Sequence, residues 1–280
     1  MTYDLVIAYL VAGAIGFAGY RARALTWDGA LAAGLIGGTV FGFGGWIPAI
    51  LLVVFFGSSS ALSFVGRRNV RKQRAEETFD KGGKRDAAQV LANGGVPAIA
   101  ALLAGVLGAP AASLMFGAFV GALAEATADT WATEIGVLSS TQPRLVTTGK
   151  QVEAGTSGGL TALGSGAGVF GAAIIGAVAA CLVLVPQLHL RAGDSVPAAW
   201  PIFLAGLVGG TAGMLADSLL GATLQASYFC PQCNKPTESR IHRCGTSTRL
   251  VRGLTWITND VVNLTGTLVG ALAGLVVVTL

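Results

Sequence analysis

The sequence predicts an all-α protein, a polytopic transmembrane helical bundle of about eight spans, rich in glycine and alanine. Three observations predict it. Only 11% of the 280 residues are charged while 53% are hydrophobic, whereas a soluble domain carries about 25% charge to cover its surface. Apolar stretches of about 20 residues, enough to cross a hydrocarbon core of roughly 30 Å, recur along the whole chain. The Lys and Arg residues fall almost entirely in every second connection between those stretches. Within hydrocarbon, backbone polar groups can be satisfied only internally, and the short alternating segments of a β-barrel are not visible. The 41 glycines would weaken helices in water but let helix backbones approach closely in lipid, where packing drives association.

The first stretch, 3–20, lacks a basic n-region and is long enough to span, so it reads as a span and not a cleavable signal. Spans follow at 28–44, 46–65, 90–108, 111–134, 159–185, 200–224 and 260–280, so 1–280 reads as a single transmembrane domain. Two connections are long: a basic one at 66–89 and another at 225–258. Arg21, Arg23, the run from Arg67 to Arg85, Arg144, Lys150 and the run from Lys235 to Arg252 all fall on one side; only Arg191 falls on the other. The positive-inside rule makes the first side cytoplasmic and puts both termini outside, in a cell (inner) membrane. For Arg67–Arg74 a role in topology or in contact with anionic membrane lipid is sufficient.

An ionisable side chain within a span costs roughly 2.5–3.5 kcal/mol on insertion scales and needs a reason. Glu125 and Asp129 fall in the fifth span, with Glu134 near its end, and Asp217 falls in the seventh. Ala128-Asp129-Thr130 and Ala216-Asp217-Ser218 share a context that hints at an internal repeat, and the third span ends in Ser58-Ser59-Ser60. These spans finish on the cytoplasmic side, where the even-numbered spans begin. The fourth is introduced by Lys84-Arg85-Asp86, Gln89 and Asn93, the sixth by Gly155-Thr156-Ser157-Gly158-Gly159, the eighth by Asn259-Asp260 and Asn263. Two sets of helix ends thus converge on one layer.

That layer suggests a phosphate site. Helix N-termini offer unpaired N–H groups and a positive dipole end, and Gly155–Gly159 lets backbone come close to a ligand. Lys84, Arg85, Arg144 and Lys150 supply charge. Carboxylates near phosphates require a Mg²⁺ between them, and Asp129, Asp217, Asp260 and Asn263 are its candidate ligands. Structural roles stay open: a glycine-rich helix start that is not the Walker pattern, Asp260 as an N-terminal cap, Asp129 and Asp217 as partners of basic residues. In the 225–258 loop, Cys230 and Cys233 with His242 and Cys244 form a ligand set suited to tetrahedral, structural Zn²⁺, with free thiols as the alternative.

Together, Phe56–Ser63, Lys81–Gly94, Ala128–Gly136, Gly155–Gly159, Ala216–Ala222 and Asn259–Asn263 carry a resemblance. The chain resembles a family of integral membrane proteins that includes the phytyl-phosphate kinases of vitamin E (tocopherol) synthesis. The resemblance implies phosphoryl transfer from a nucleoside triphosphate, CTP foremost, to an isoprenyl monophosphate. In that chemistry Asp129, Asp217 and Asp260 bind Mg²⁺, Lys84 and Arg85 contact phosphates, and Gln89 and Asn93 orient them. Ser58, Ser59, Ser60, Asp86, Arg144, Lys150 and Asn263 complete the expected binding set, with Glu134 supporting the metal indirectly. No nucleic acid is expected as a partner. Two rivals remain: an ion-coupled transporter, whose site belongs near the midplane, and a CTP-using lipid cytidylyltransferase, which releases pyrophosphate.

Overall fold

A computed structural model describes residues 2–66, 69, 83–185, 188 and 198–280. Arg67, Arg68, Arg71, Lys72, Arg74, Lys81 and Arg191, which entered the charge reading, lie outside the described residues. Among the described residues there are eight α-helices, on the eight apolar stretches. They are α1 (Thr2–Arg21), α2 (Trp27–Thr39, continued by a π-helical turn Val40–Gly44), α3 (Trp46–Gly66) and α4 (Ala87–Leu107). The second half comprises α5 (Ala111–Gly136), α6 (Ala162–Leu182), α7 (Ala199–Thr223) and α8 (Asn259–Val277). Six, α3 to α8, are long and apolar enough to cross a membrane; α1 contributes an apolar segment over Leu5–Arg21, and α2 has 13 residues before its π-helical turn.

The fifth helix is the axis of the bundle. It is buried without interruption from Gly117 to Ala128, as expected of a helix that is apolar on every side. The neighbouring helices approach it through glycine. A methyl group on Gly209 of α7 would lie 2.7 Å from both the Gly121 Cα of α5 and the Gly270 carbonyl oxygen of α8. Three backbones therefore meet where no side chain fits. Leucines, valines and phenylalanines such as Leu10, Phe17, Leu35, Leu103 and Phe170 point outward, over half exposed in most cases, as a lipid-facing surface requires.

Helix ends are tied to one another in a single layer. The N-termini of α2 and α4 are stitched together: Thr26 N–H donates to the Arg85 carbonyl at 3.0 Å, Arg85 N–H to Ala24 at 3.0 Å, and Ala87 N–H to Asp28 Oδ2 at 3.2 Å. The C-terminal parts of α3 and α5 are joined by Ser63 Oγ, which donates to Glu134 Oε1 at 2.5 Å, and by Trp131 Nε1, which donates to Ser58 Oγ at 3.4 Å. The start of α8 meets the end of α7 through Asn263. With its amide oriented to satisfy both neighbours, it donates to Asp217 Oδ2 at 3.0 Å and to the Asn259 carbonyl at 3.2 Å.

The helix starts differ from expectation in three places. The fourth helix begins at Ala87, because Asp86 accepts from Gln89 N–H at 2.9 Å while Gln89 Oε1 accepts from Asp86 N–H at 3.2 Å. That reciprocal capping box occupies the Asp86 carboxylate with its own backbone. The sixth helix begins at Ala162, capped by Thr161 through Gly164 N–H at 3.0 Å, so Gly155–Gly159 is a loop and not a helix N-terminus. It runs into β2 (Gly159–Leu160), which pairs antiparallel with β1 (Arg144–Leu145). The eighth helix has Thr258 at its N-cap position, so Asp260 lies in the first turn instead of capping it.

The connection after α7 is not all-α. It carries a three-stranded antiparallel sheet, β3 (Ser227–Cys230), β4 (Lys235–Thr237) and β5 (Arg249–Arg252), with β3 in the middle. Strands of three or four residues leave little period-2 pattern to read.

Candidate functional site

A cavity of about 730 Å³ opens in the layer where the helix ends meet. Its floor carries Asp129 from α5, Asp217 from α7, and Asp260 and Asn263 from α8. Arg85, Gln89 and Asn93 enter from the start of α4, Glu134 from the end of α5, and the loop Gly155, Thr156, Ser157, Gly158 and Gly159 forms one wall. Three carboxylates spread between positions 129 and 260 of the sequence are thus brought into one space. The first N–H groups of α8 lie beside it, and the Thr258 side chain makes no cap hydrogen bond to them.

The glycine loop is held from below and above. Gly155 and Gly158 have φ of +89° and +78°, where only glycine is unstrained. A methyl group at Gly158 would meet the Ala222 N at 2.5 Å, so the loop lies flush on the end of α7. Arg252 donates to the Gly221 carbonyl at 3.0 Å and the Ser157 carbonyl at 3.5 Å. Ser157 Oγ donates to Glu238 Oε1 at 2.6 Å, and Gln225 Nε2 donates to the same oxygen at 2.7 Å.

Arg85 is a half-buried cation at the edge of this region. Its guanidinium carbon lies 5.6 Å from the centre of the Phe55 ring, a cation–π distance. Burial pushes its pKa below the usual arginine value, and the Glu134 carboxylate opposes that shift.

Several expected binding residues do not reach the cavity. Ser58 donates to the Phe55 carbonyl at 3.2 Å, Ser59 is fully buried with no hydrogen-bond partner for its hydroxyl among the described residues, and Ser60 is half-buried on α3. Lys84 and Lys150 are exposed. Arg144 is spent on the Gly149 carbonyl, 2.8 Å away, closing the turn beside β1. Asp86 caps α4, as described above.

Other residues at the cavity were not anticipated. Glu238, Ser239, Arg240 and Ile241 line it from above, with Tyr228 and Gln225 beside them. Arg240 and Glu238 lie between the second and third of the Cys/His ligands, in a stretch whose sequence points only to metal. Beneath the cavity Glu125, one helical turn before Asp129, is buried with neither carboxyl oxygen hydrogen-bonded among the described residues. Gly213 and Gly266 make room for it: a methyl group on Gly266 would come within 2.5 Å of Glu125 Oε1.

Cys230, at the end of β3, comes together with Cys233, His242 and Cys244 from the turns between the strands of the three-stranded sheet. One ligand atom from each lies within 4.8 Å of all the others, so the cluster could hold a metal ion. Hydrogen bonding to Thr246, then to His242, lowers the Cys244 thiol to about 6, whereas hydrogen bonding to Cys244, then burial, raises Cys233 to about 11. Among the described residues it is the one group of three or more His, Cys, Asp or Glu with donor atoms this close. The acids of the cavity stand further apart.

A family model described as integral membrane protein DUF92 matches residues 10–271. Protein PGR of Arabidopsis thaliana is 32% identical over 274 residues, covering 93% of this chain and 91% of that protein. An uncharacterised membrane protein of Methanocaldococcus jannaschii is 36% identical over 205 residues, covering 73% of this chain and 76% of its own length. No solved structure matches the chain.

Proposed function

Given that the chain belongs to the DUF92 integral membrane family, in agreement with the resemblance its motifs carry, we propose that it is a Mg²⁺-dependent isoprenyl-monophosphate kinase. It takes a phosphoryl group from a nucleoside triphosphate, CTP foremost, and gives the isoprenyl diphosphate. We place the reaction at the cytoplasmic face of an eight-span bundle in the cell membrane. One observation carries the reading: Asp129, Asp217 and Asp260, from three different helices, share one cavity with a glycine loop, Arg85 and the open N-terminus of α8.

The donor set fits Mg²⁺. It is a hard cation that takes oxygen ligands and is commonly held by one or two carboxylates plus substrate phosphates and waters. Carboxylates that share a cavity without closing into a tight cluster suit that mode better than a dedicated all-protein cage. Once bound, the ion neutralises phosphate charge that the acids alone would repel.

The chain's own residues do the positioning. Arg85 and the N–H groups at the start of α8 bind phosphate oxygens, as helix N-termini do. Gly155 to Gly159 bring the backbone close to the nucleotide phosphates. Asn263, held by Asp217, fixes the carboxylate's orientation. An oxygen of the lipid phosphate attacks the γ-phosphorus, the bond from that phosphorus to the β–γ bridging oxygen breaks, and the nucleoside diphosphate leaves. The attacking phosphate is already ionised at neutral pH, so no strong general base is needed, and the acids are assigned to binding. The isoprenyl tail lies among the Gly/Ala-lined helices below.

The position of the cavity favours this reading over ion-coupled transport, because Asp260 lies in the first turn of α8, Asp129 and Asp217 lie within two turns of the ends of α5 and α7, and other lining residues come from the start of α4 and from loops between helices. Purified protein with Mg²⁺ and a γ-labelled triphosphate is expected to label a prenyl monophosphate, and Asp129→Asn and Asp217→Asn are expected to abolish labelling while keeping the wild-type elution profile in detergent. Release of pyrophosphate with retention of the nucleotide on the lipid would instead identify a cytidylyltransferase. Absence of transfer with all four nucleotides and every prenyl phosphate tried would refute the proposal.

A further inference from the structure

The sheet after α7 is too small to hold itself. Its strands have four, three and four residues, and so small a sheet needs packing or a staple to persist in water. Yet it carries Glu238 and Arg240 to the cavity. At its far tip lie the four candidate ligands, each offering one ligand atom within 4.8 Å of all the others.

Two tight turns present them. In the first, Cys233 N–H points to Cys230 Sγ at 3.5 Å, Asn234 N–H donates to the Cys230 carbonyl at 2.9 Å, and Asn234 has φ of 54°. In the second, Gly245 N–H donates to the His242 carbonyl at 2.8 Å, His242 N–H donates to the Thr246 carbonyl at 2.9 Å, and Gly245 has φ of 84°. Each turn thus places a residue in the left-handed region directly after its last ligand. Cys230 Sγ lies 3.7 Å from Cys244 Sγ, close to the edge of about 3.8 Å that a tetrahedron with metal–sulfur bonds of about 2.3 Å has. His242 Nδ1 lies 3.1 Å from Cys244 Sγ. Three sulfurs and one imidazole nitrogen select Zn²⁺ among common divalent ions, and four protein ligands leave no open position for catalysis.

We propose that Cys230, Cys233, His242 and Cys244 bind one Zn²⁺ ion that fixes this sheet as the roof of the cavity, with Glu238 locked onto Ser157 and Gln225. Cys230 ends β3 and pairs with Lys235 at the start of β4, so the ion closes the hairpin whose second strand leads directly into Glu238. From Glu238 the path runs through Ser157 into the glycine loop. Without the ion the hairpin opens, and Ser157 loses the acceptor that holds the loop in place. The metal site stands on its own geometry; its role as a roof over substrate rests on the proposed kinase reading.

The test uses full-length protein purified in detergent without chelator. Elemental analysis is expected to find about one zinc per chain, and Co²⁺ exchanged into the site is expected to give the absorption of a tetrahedral thiolate complex. Cys233→Ser and Cys244→Ser are expected to lose the metal, while Cys181→Ser keeps it. Zinc-free wild-type protein, or a Cys230–Cys244 disulfide found by mass spectrometry, would overturn the site. Stripping zinc from wild-type protein is expected to expose Arg240 and Arg243 to trypsin, and zinc re-addition to protect them again, so a variant that fails to fold leaves the answer intact. Bound zinc with unchanged cleavage after stripping would overturn the roof. Zinc binding with protection but no lipid kinase activity would leave this inference standing and refute the kinase reading alone.

Discussion

Gly209→Ala probes the contact on which the bundle turns. The added methyl carbon would sit 2.7 Å from the Gly121 Cα and 2.7 Å from the Gly270 carbonyl oxygen, with Gly274 N at 3.4 Å. All of these are backbone atoms, so no side chain can rotate away. Carbon contacts are comfortable at about 3.5–4.0 Å, so α7 must withdraw from α5 and α8 by roughly 1 Å. Overpacking of this kind costs about 1–3 kcal/mol. At about 2–4 °C per kcal/mol for a chain of this class, the melting temperature is expected to fall by several degrees. The assay is thermal unfolding in detergent, with Gly57→Ala and Gly166→Ala as controls, since a methyl group there meets nothing within 4 Å. The controls are expected to melt at or slightly above wild type, because alanine is the better helix residue by about 1 kcal/mol. Asp217 lies two turns beyond Gly209 on the same helix, so the displacement is also expected to reduce phosphoryl transfer. Gly209→Ala melting with the controls would refute the close three-backbone contact.

Asp86→Ala removes a helix cap and is expected to cost about 1 kcal/mol of stability while transfer persists; a loss of activity as complete as that of Asp129→Asn would return Asp86 to the phosphate site. Trypsin is expected to cut the exposed Arg144–Lys150 connection in inside-out vesicles and to spare it in right-side-out ones, and the reverse pattern would overturn the proposed orientation. Glu238→Gln removes a charged acceptor shared by Ser157 and Gln225 and is expected to raise the KM for nucleotide more than it lowers kcat; an unchanged KM would separate the roof from nucleotide binding.

The bundle was legible because membrane physics writes in long runs. Apolar length and the alternation of Arg and Lys placed every helix to within a few residues, and glycine abundance announced close packing. Helix starts were harder, since they turn on single hydrogen bonds. The Asp86–Gln89 capping box is a readable signature, yet the same residues lie beside Arg85 and fit a phosphate reading equally well. Gly155–Gly159 resembles a helix start in composition, but Thr161 supplies the cap and the glycines serve the loop. Of the candidate site, the acids Asp129, Asp217 and Asp260 stood out because a carboxylate among apolar residues is costly. Glu238 and Arg240 did not, because a charge in a polar loop is unremarkable until the hairpin folds it over the cavity. Ser58 and Arg144 show the converse: suitable chemistry at the right depth, bonded instead to helix and turn atoms.

The central claim is tested most directly by giving the purified protein CTP labelled at the γ-phosphorus or at the α-phosphorus, together with Mg²⁺ and a prenyl monophosphate. The account predicts that the γ label appears in a prenyl diphosphate while the α label stays in the nucleoside diphosphate, and that Asp217→Asn stops both changes. Appearance of the α label in the lipid, or transfer that persists undiminished in Asp217→Asn, would contradict it.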